Sequence, residues 1–289
     1  MSTVDLTFGP PGDQWHYIRD SKTYDLTRGA GPGDGFTMRT TAGLPDTSLR
    51  IAPNVSALVI IDMQNYFLDP SCRDHPTGLA AVEPTIKTIE KCRELGIQVS
   101  QLNLSRFRVL YSYISHLQVI WLNWGLTDND LASMPASIQR GFSRTLITGE
   151  ADPNSLPRSG LGADLGSGKG RCLMAGEWNS QLYGPLLEAS RDEDIHCAKN
   201  RMSGMWSKDQ PLRKLLSGES SAGKLRTLFF AGVNTDQCVQ GTLTDAYNAG
   251  WDCVMIEDCC GTLTPGAREV CLRNMAVSIP SGHAMTGHC

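Results

Sequence analysis

The chain has 289 residues, room for one large domain or two small ones at about 100–200 residues each. Hydrophobic residues make up 40% and charged residues 19%, which supports a sizeable core and excludes wholesale disorder. The formal charge of -4, from 26 basic and 30 acidic residues, argues against a dedicated nucleic-acid binder, which needs a concentrated basic face.

No stretch of about 18 apolar residues occurs, so no membrane span is expected. The start MSTVDLTFGPPGDQWHYIRD has neither a basic n-region nor an apolar h-region, so a cytoplasmic protein is expected. The ten cysteines include no C-x-x-C pair. Reduced thiols, most of them small core residues, are expected.

Residues 1–54 are rich in Gly, Pro, Thr and Asp and show little periodicity. They read as an extended arm that wraps over the domain or packs against another subunit of a homo-oligomer. The Gly-rich run GAGPGDGF (29–36) is a poor phosphate-binding candidate, because no strand precedes it. The domain proper is read as 55–276.

SALVIIDMQ (56–64) holds a continuous apolar run, the mark of a buried parallel strand, and that strand ends in Asp62. GLAAVEPTIKTIEKCRELGI (78–97) has apolar residues at helical spacing and a terminal glycine. Further strands are VIWLNWG (119–125), DIHCAK (194–199), TLFFAGV (227–233) and WDCVMIED (251–258). Helices are expected over 235–250 and 264–275. This alternation predicts an α/β fold, a doubly wound, mainly parallel sheet with helices on both faces. The loop-rich stretch 149–178 is long enough to suggest a functional loop or a subunit contact.

Residues 99–118, VSQLNLSRFRVLYSYISHLQ, make the connection from helix to strand abnormally long. They read as an insertion foreign to the fold. Their Val-Ser start and Gln end match what a retained intron would encode; a genuine lineage-specific loop is the other reading. The tail from Val277, VSIPSGHAMTGHC, also begins Val-Ser and is atypical as the end of such a domain.

In open parallel sheets, ligands bind beyond the carboxyl ends of the strands. Asp62 and Lys199 lie at two such ends, and Cys238 falls in the first helical turn after a third. A helix N-terminus lowers a thiol's pKa and supplies N–H groups that hold an oxyanion. A buried core cysteine is the competing reading. An acid beside a thiol can take its proton, and a lysine between them keeps the acid ionised.

The segments ALVIIDMQNYF (57–67), KNRMSGMW (199–206), AGVNTDQCVQGTLTDAYNAGWD (231–252) and EDCCGTLTPGAR (257–268) resemble the isochorismatase-like cysteine hydrolase superfamily. The resemblance spans about 55 to 275 and implies a three-layer α/β fold. It also implies hydrolysis of C–N bonds in small amides or ureides, or cleavage of the vinyl ether of isochorismate. It maps the family's catalytic residues onto Asp62, Lys199 and Cys238. It implies a cis peptide at Val233–Asn234, in the turn that would hold the oxyanion. Gln64, Asn65, Tyr66 and Phe67 are candidates to line the pocket and Trp206 to cover it, with plain loop and core packing equally open.

The nicotinamidase branch holds a metal through an Asp and two His after the second strand. WLNWGLTDND (121–130) has no His, so no metal or other cofactor is expected. His75 reads as structural. The cysteine leans the expectation toward an amidase-type thiol mechanism on a small-molecule substrate. Vinyl-ether cleavage and a degenerate binding protein remain the alternatives.

Overall fold

The computed structural model describes residues 5–29, 35–42, 47–97, 118–143, 160–218, 225–278 and 281–282. The expected arm folds into strands: β1 (Leu6–Phe8), β2 (Trp15–Ile18), β3 (Thr23–Asp25), β4 (Phe36–Ala42) and β5 (Ser48–Ile51). Most of the Gly-rich run 29–36 lies outside the described residues.

The domain continues with β6 (Ser56–Ile61), α1 (Asn65–Leu68), α2 (Pro76–Ala80) and α3 (Val82–Ile97). Then come β7 (Gln118–Trp124), α4 (Asp128–Ala132), α5 (Ala136–Gly141), α6 (Gly184–Ala189), β8 (Ile195–Lys199) and α7 (Pro211–Ser217). The last elements are β9 (Thr227–Val233), α8 (Gln240–Asn248), β10 (Asp252–Gly261), α9 (Ala267–Ser278) and β11 (Ser281–Gly282). Of the segment read as an insertion, only Gln118 is described, and it opens β7 opposite Ala57. The rest of 99–118 lies outside the described residues, as do 149–159 of the loop-rich stretch.

The strands form one sheet in the order β1-β2-β3-β5-β4-β11-β10-β9-β6-β7-β8. Every neighbouring pair from β11 to β8 is parallel. Within the arm β3 and β5 are parallel, and the other pairs are antiparallel. The tail contributes to this sheet: Ser281 and Gly282 pair with β10 on one side and β4 on the other.

The central parallel strands β6 and β9 are buried at every position because both their faces are covered. Along β6, Leu58 and Ile60 enter one core with Ile89 and Cys92 of α3. Ala57, Val59 and Ile61 enter the other, with Leu212 of α7, Leu243 of α8 and Met275 of α9. The side-chain period of two thus splits each strand between two helical layers.

The arm is anchored by charge as well as by pairing. Arg28 donates to Asp252 at 2.9 Å, and the Trp15 indole N–H reaches the same carboxylate at 3.0 Å. Burial raises the Asp252 pKa, and the hydrogen bonds from Arg28 oppose that rise. Among the described residues, no helix is long and apolar enough to cross a membrane.

Candidate active site

Three strand ends meet at one rim. The chain leaves β6 at Asp62 with φ of 55°, a left-handed conformation that few residues other than Gly, Asn and Asp adopt. That turn buries the Asp62 side chain completely. Its Oδ1 accepts the Trp124 backbone N–H at 3.3 Å. Its Oδ2 faces Lys199 Nζ at 2.9 Å as an ion pair without an aligned hydrogen bond.

Lys199, the last residue of β8, is also fully buried. Its Nζ donates to the Arg201 carbonyl at 3.1 Å and to Cys238 Sγ at 3.4 Å, and lies 4.1 Å from the centroid of the Trp124 ring. Cys238 sits in a π turn, Thr235–Val239, that leads into α8. The Val239 N–H reaches back to the Asn234 carbonyl at 3.2 Å, one residue wider than an α-helical bond. Single π turns of this kind recur at functional sites.

The electrostatics differ from the sequence expectation. A thiol with its pKa lowered by a helix N-terminus was expected. Instead the Cys238 thiol is pushed up to about 12, first by burial and then by the Asp62 charge, with Lys199 pulling the other way. A dipole contributes about 0.3–1 kcal/mol within the first turn. Full burial shifts a pKa by as much as about 3–5 units, so burial wins. Burial likewise raises the Asp62 pKa, against the charge of Lys199. The resting sulfur is therefore a protonated thiol beside a carboxylate whose basicity has been raised.

The structure sorts the other candidates. The Val233–Asn234 peptide is cis, as the resemblance implied. Gln64 is wholly buried and its amide is spent on backbone. Nε2 donates to the carbonyls of Trp124 and Ser180, each at 2.7 Å, and Oε1 accepts the Trp124 N–H at 3.1 Å. Asn65 donates to the Trp178 carbonyl at 2.9 Å. Phe67 packs edge-on against Tyr66 in the core. Trp206 is half exposed, with Arg201 over its ring and its indole N–H on Asn200 Oδ1 at 3.2 Å.

Sequence reading missed Trp124. It is buried, and its ring covers Lys199. Its indole Nε1 has no aligned hydrogen-bond partner, yet it lies close enough to the sulfur to favour the thiolate. The strand-end rule that found Asp62 and Lys199 points to this position too, at the end of β7. His75 was assigned only a structural part, but it touches Asn234 at 2.8 Å.

Residues 145–287 match the family model described as the isochorismatase domain, which takes in Lys199 and Cys238 and leaves Asp62 outside. Over 238 residues the chain is 25% identical to the ureidoacrylate amidohydrolase RutB of Acinetobacter baylyi, covering 82% of this chain and 80% of that protein. Together these matches support membership in the isochorismatase-like hydrolase superfamily. RutB of Klebsiella pneumoniae is 26% identical over 232 residues, covering 79% of this chain and 83% of that protein. An isochorismatase family protein from Desulfovibrio vulgaris shares the fold with a TM-score of 0.54 at 20% identity, covering 80% of this chain and 94% of that one. N-carbamoylsarcosine amidase from Thermoplasma acidophilum does so with a TM-score of 0.52 at 18% identity, covering 81% of this chain and 99% of that one. Membership in this superfamily supports hydrolase activity. Among the described residues, no group of three or more His, Cys, Asp or Glu side chains is placed to hold a metal ion.

Proposed function

We propose that the protein is a cysteine hydrolase that opens a C–N bond of a small amide or ureide, with Cys238 as nucleophile, Asp62 as general base and acid, and Lys199 as the charge that organises them. The observation that carries this reading is the sealed cluster itself. One ammonium touches a carboxylate at 2.9 Å and a thiol at 3.4 Å, all three nine-tenths buried or more. An ion pair at such depth is a poor source of stability. Perturbed ionisable groups packed together mark a reactive site. The ureidoacrylate amidohydrolases among the relatives act on substrates of this class.

Each proton has a place to go. Asp62 takes the thiol proton as sulfur attacks the carbonyl carbon and a C–S bond forms. The oxygen of the tetrahedral species gains negative charge, which backbone N–H groups of the 234–238 turn and the Lys199 ammonium stabilise. Asp62 returns the proton to the leaving nitrogen as the C–N bond breaks, leaving a thioester. Asp62 then deprotonates water, which attacks the thioester and frees the acid while the sulfur recovers its proton.

The test is a hydrolysis screen over amides, ureides, nicotinamide and isochorismate, run on the wild type and on Cys238→Ala. Turnover of a ureide or amide that vanishes in Cys238→Ala supports the reading. Turnover of isochorismate alone, unaffected by Cys238→Ala, overturns it in favour of ether cleavage. No turnover of any compound overturns it in favour of a binding protein.

The base must be ionised to act, so kcat/KM falls as pH drops and Asp62 takes up its proton. Because burial raises that carboxyl, the acid limb lies above the ordinary value of about 3.9. A pH–rate profile checks this, and an acid limb at or below that ordinary value would contradict the assignment. Lys199→Met strands a buried carboxylate. The variant should lose about 3–5 kcal/mol of stability in denaturant melts, the cost of breaking a buried pair from one side.

A further inference from the structure

We propose that His75 is a positioning residue for the reaction at Cys238. Protonated on Nε2, it turns the Asn234 side chain so that the amide's Nδ2–H donors face an acceptor oxygen of the substrate. The pair thereby selects substrates that carry such an oxygen beside the scissile carbonyl. The proposal rests on the hydrolase reading above.

The tautomer follows from geometry. His75 is completely buried, and its Nδ1 accepts the Gly78 N–H at 2.9 Å. A ring nitrogen that accepts a hydrogen bond carries no proton, so in the neutral ring the proton sits on Nε2. Nε2 lies 2.8 Å from Asn234 Oδ1 and must be the donor. That decides the amide orientation as well: Oδ1 meets His75, and Nδ2 is directed away from it. Burial lowers the ring's pKa and keeps it neutral; nearby Arg73 works in the same direction and Asp74 against it.

The ring is held rigidly. A Cβ on Gly78 would come within 2.7 Å of His75 Nδ1, so only glycine lets the imidazole rest on that N–H. A Cβ on Gly261, at the end of β10, would meet the Gly78 nitrogen at 2.7 Å, which shows how closely this loop is seated. Thr77 donates to the Thr262 carbonyl at 2.7 Å, and Thr262 donates to Asp236 in the π turn at 2.5 Å. The loop that carries His75 and the turn that carries Cys238 are thus cross-braced through the residue after β10.

Asn234 is where this bracing meets the chemistry. Its carbonyl accepts the N–H groups of Gln237 at 3.0 Å and Val239 at 3.2 Å, so it shapes the turn around the sulfur. Its side chain needs no polar end for that task. Asn234 lies four residues before Cys238, and with Oδ1 engaged by His75 its side-chain amide has its Nδ2–H donors left to offer. Such a group suits a ureide or carboxylate oxygen and disfavours a donor at the same place.

The test measures kcat and KM of Asn234→Ala, His75→Leu, His75→Gln and the double variant Asn234→Ala/His75→Leu on the best substrate of the screen. Asn234→Ala and His75→Leu should each lose about 10- to 100-fold in kcat/KM, the scale of one hydrogen bond to a charged or developing charge. The double variant should lose no more than Asn234→Ala alone, because His75 acts through Asn234. His75→Gln, whose amide N–H can take the place of the imidazole Nε2–H, should recover most of the activity lost in His75→Leu. Iodoacetamide labelling of Cys238 should stay within about twofold across the set, reporting an intact thiol environment. Full kcat/KM in Asn234→Ala, or additive losses in the double variant, would overturn the proposal while leaving the hydrolase intact. A wild type inactive on the whole screen overturns both readings together.

Discussion

Replacing Cys238 by serine is expected to lower turnover by at least about a thousandfold and leave the fold in place. The two side chains differ by one atom and the site is buried, so thermal stability should move by no more than about 1 kcal/mol. The chemistry changes far more. Burial strengthens Asp62 as a base, yet an alcohol is a far weaker acid than a thiol pushed up to about 12. The same desolvation that raises the thiol would raise a hydroxyl from a much higher start, and Lys199 supplies only one charge to share. A Cys238→Ser variant that kept most of the wild-type rate on an amide would mean that sulfur is not the nucleophile, and the proposed mechanism would fall. Asp62→Asn makes the companion measurement, since it removes the proposed base and leaves the thiol.

The central parallel strands were legible because they are buried on both faces, and a continuous apolar run such as Ala57–Ile61 is the mark of such a strand. The ends of the parallel strands then located Asp62 and Lys199 by a rule of topology alone, and the helical stripe after β9 located Cys238. The arm was not legible. Its strands β1, β2, β3 and β5 are three or four residues long, and their register comes from partners rather than from their own pattern. Nothing local in TYD or SLRI announces a strand. The thiol's pKa was misjudged for a related reason. A helix N-terminus is visible in sequence, whereas the burial of Cys238 and the nearby carboxylate are properties of the assembled site. Trp124 and His75 share that difficulty. The significance of an indole N–H or a lone imidazole lies in which atom it meets across the fold, and those meetings join residues more than a hundred positions apart for Trp124 with Cys238 and for His75 with Asn234. The compact tie between Trp124 and Gln64 shows the reverse case. Gln64, a pocket candidate because it follows Asp62 with plain packing equally open, bonds through its amide to backbone and fastens the chain just after Asp62 to the end of β7.

Gly232→Ala should prevent the protein from folding, or leave it more than about 4 kcal/mol less stable. Gly232 has φ of +120°, and a Cβ built on it would lie 2.0 Å from the Ile61 carbonyl oxygen and 2.7 Å from the Ile61 nitrogen. Both contacts are backbone, so no side-chain rotation relieves them. The strain of that φ in a residue with a Cβ adds to the collision. Gly232 pairs with Ile61 at the point where β9 and β6 are about to release the two halves of the site, Asn234 and the π turn on one side and Asp62 on the other. The only relief open to an alanine is to push β6 and β9 apart there, which breaks ladder bonds between two strands buried on both faces and moves Asp62 away from Cys238. A partly folded variant should therefore lose activity out of proportion to its loss of stability. Chemical denaturation of Gly232→Ala beside a turnover assay checks both parts. A variant with a wild-type melting midpoint would show that the strands do not approach as closely as this geometry requires.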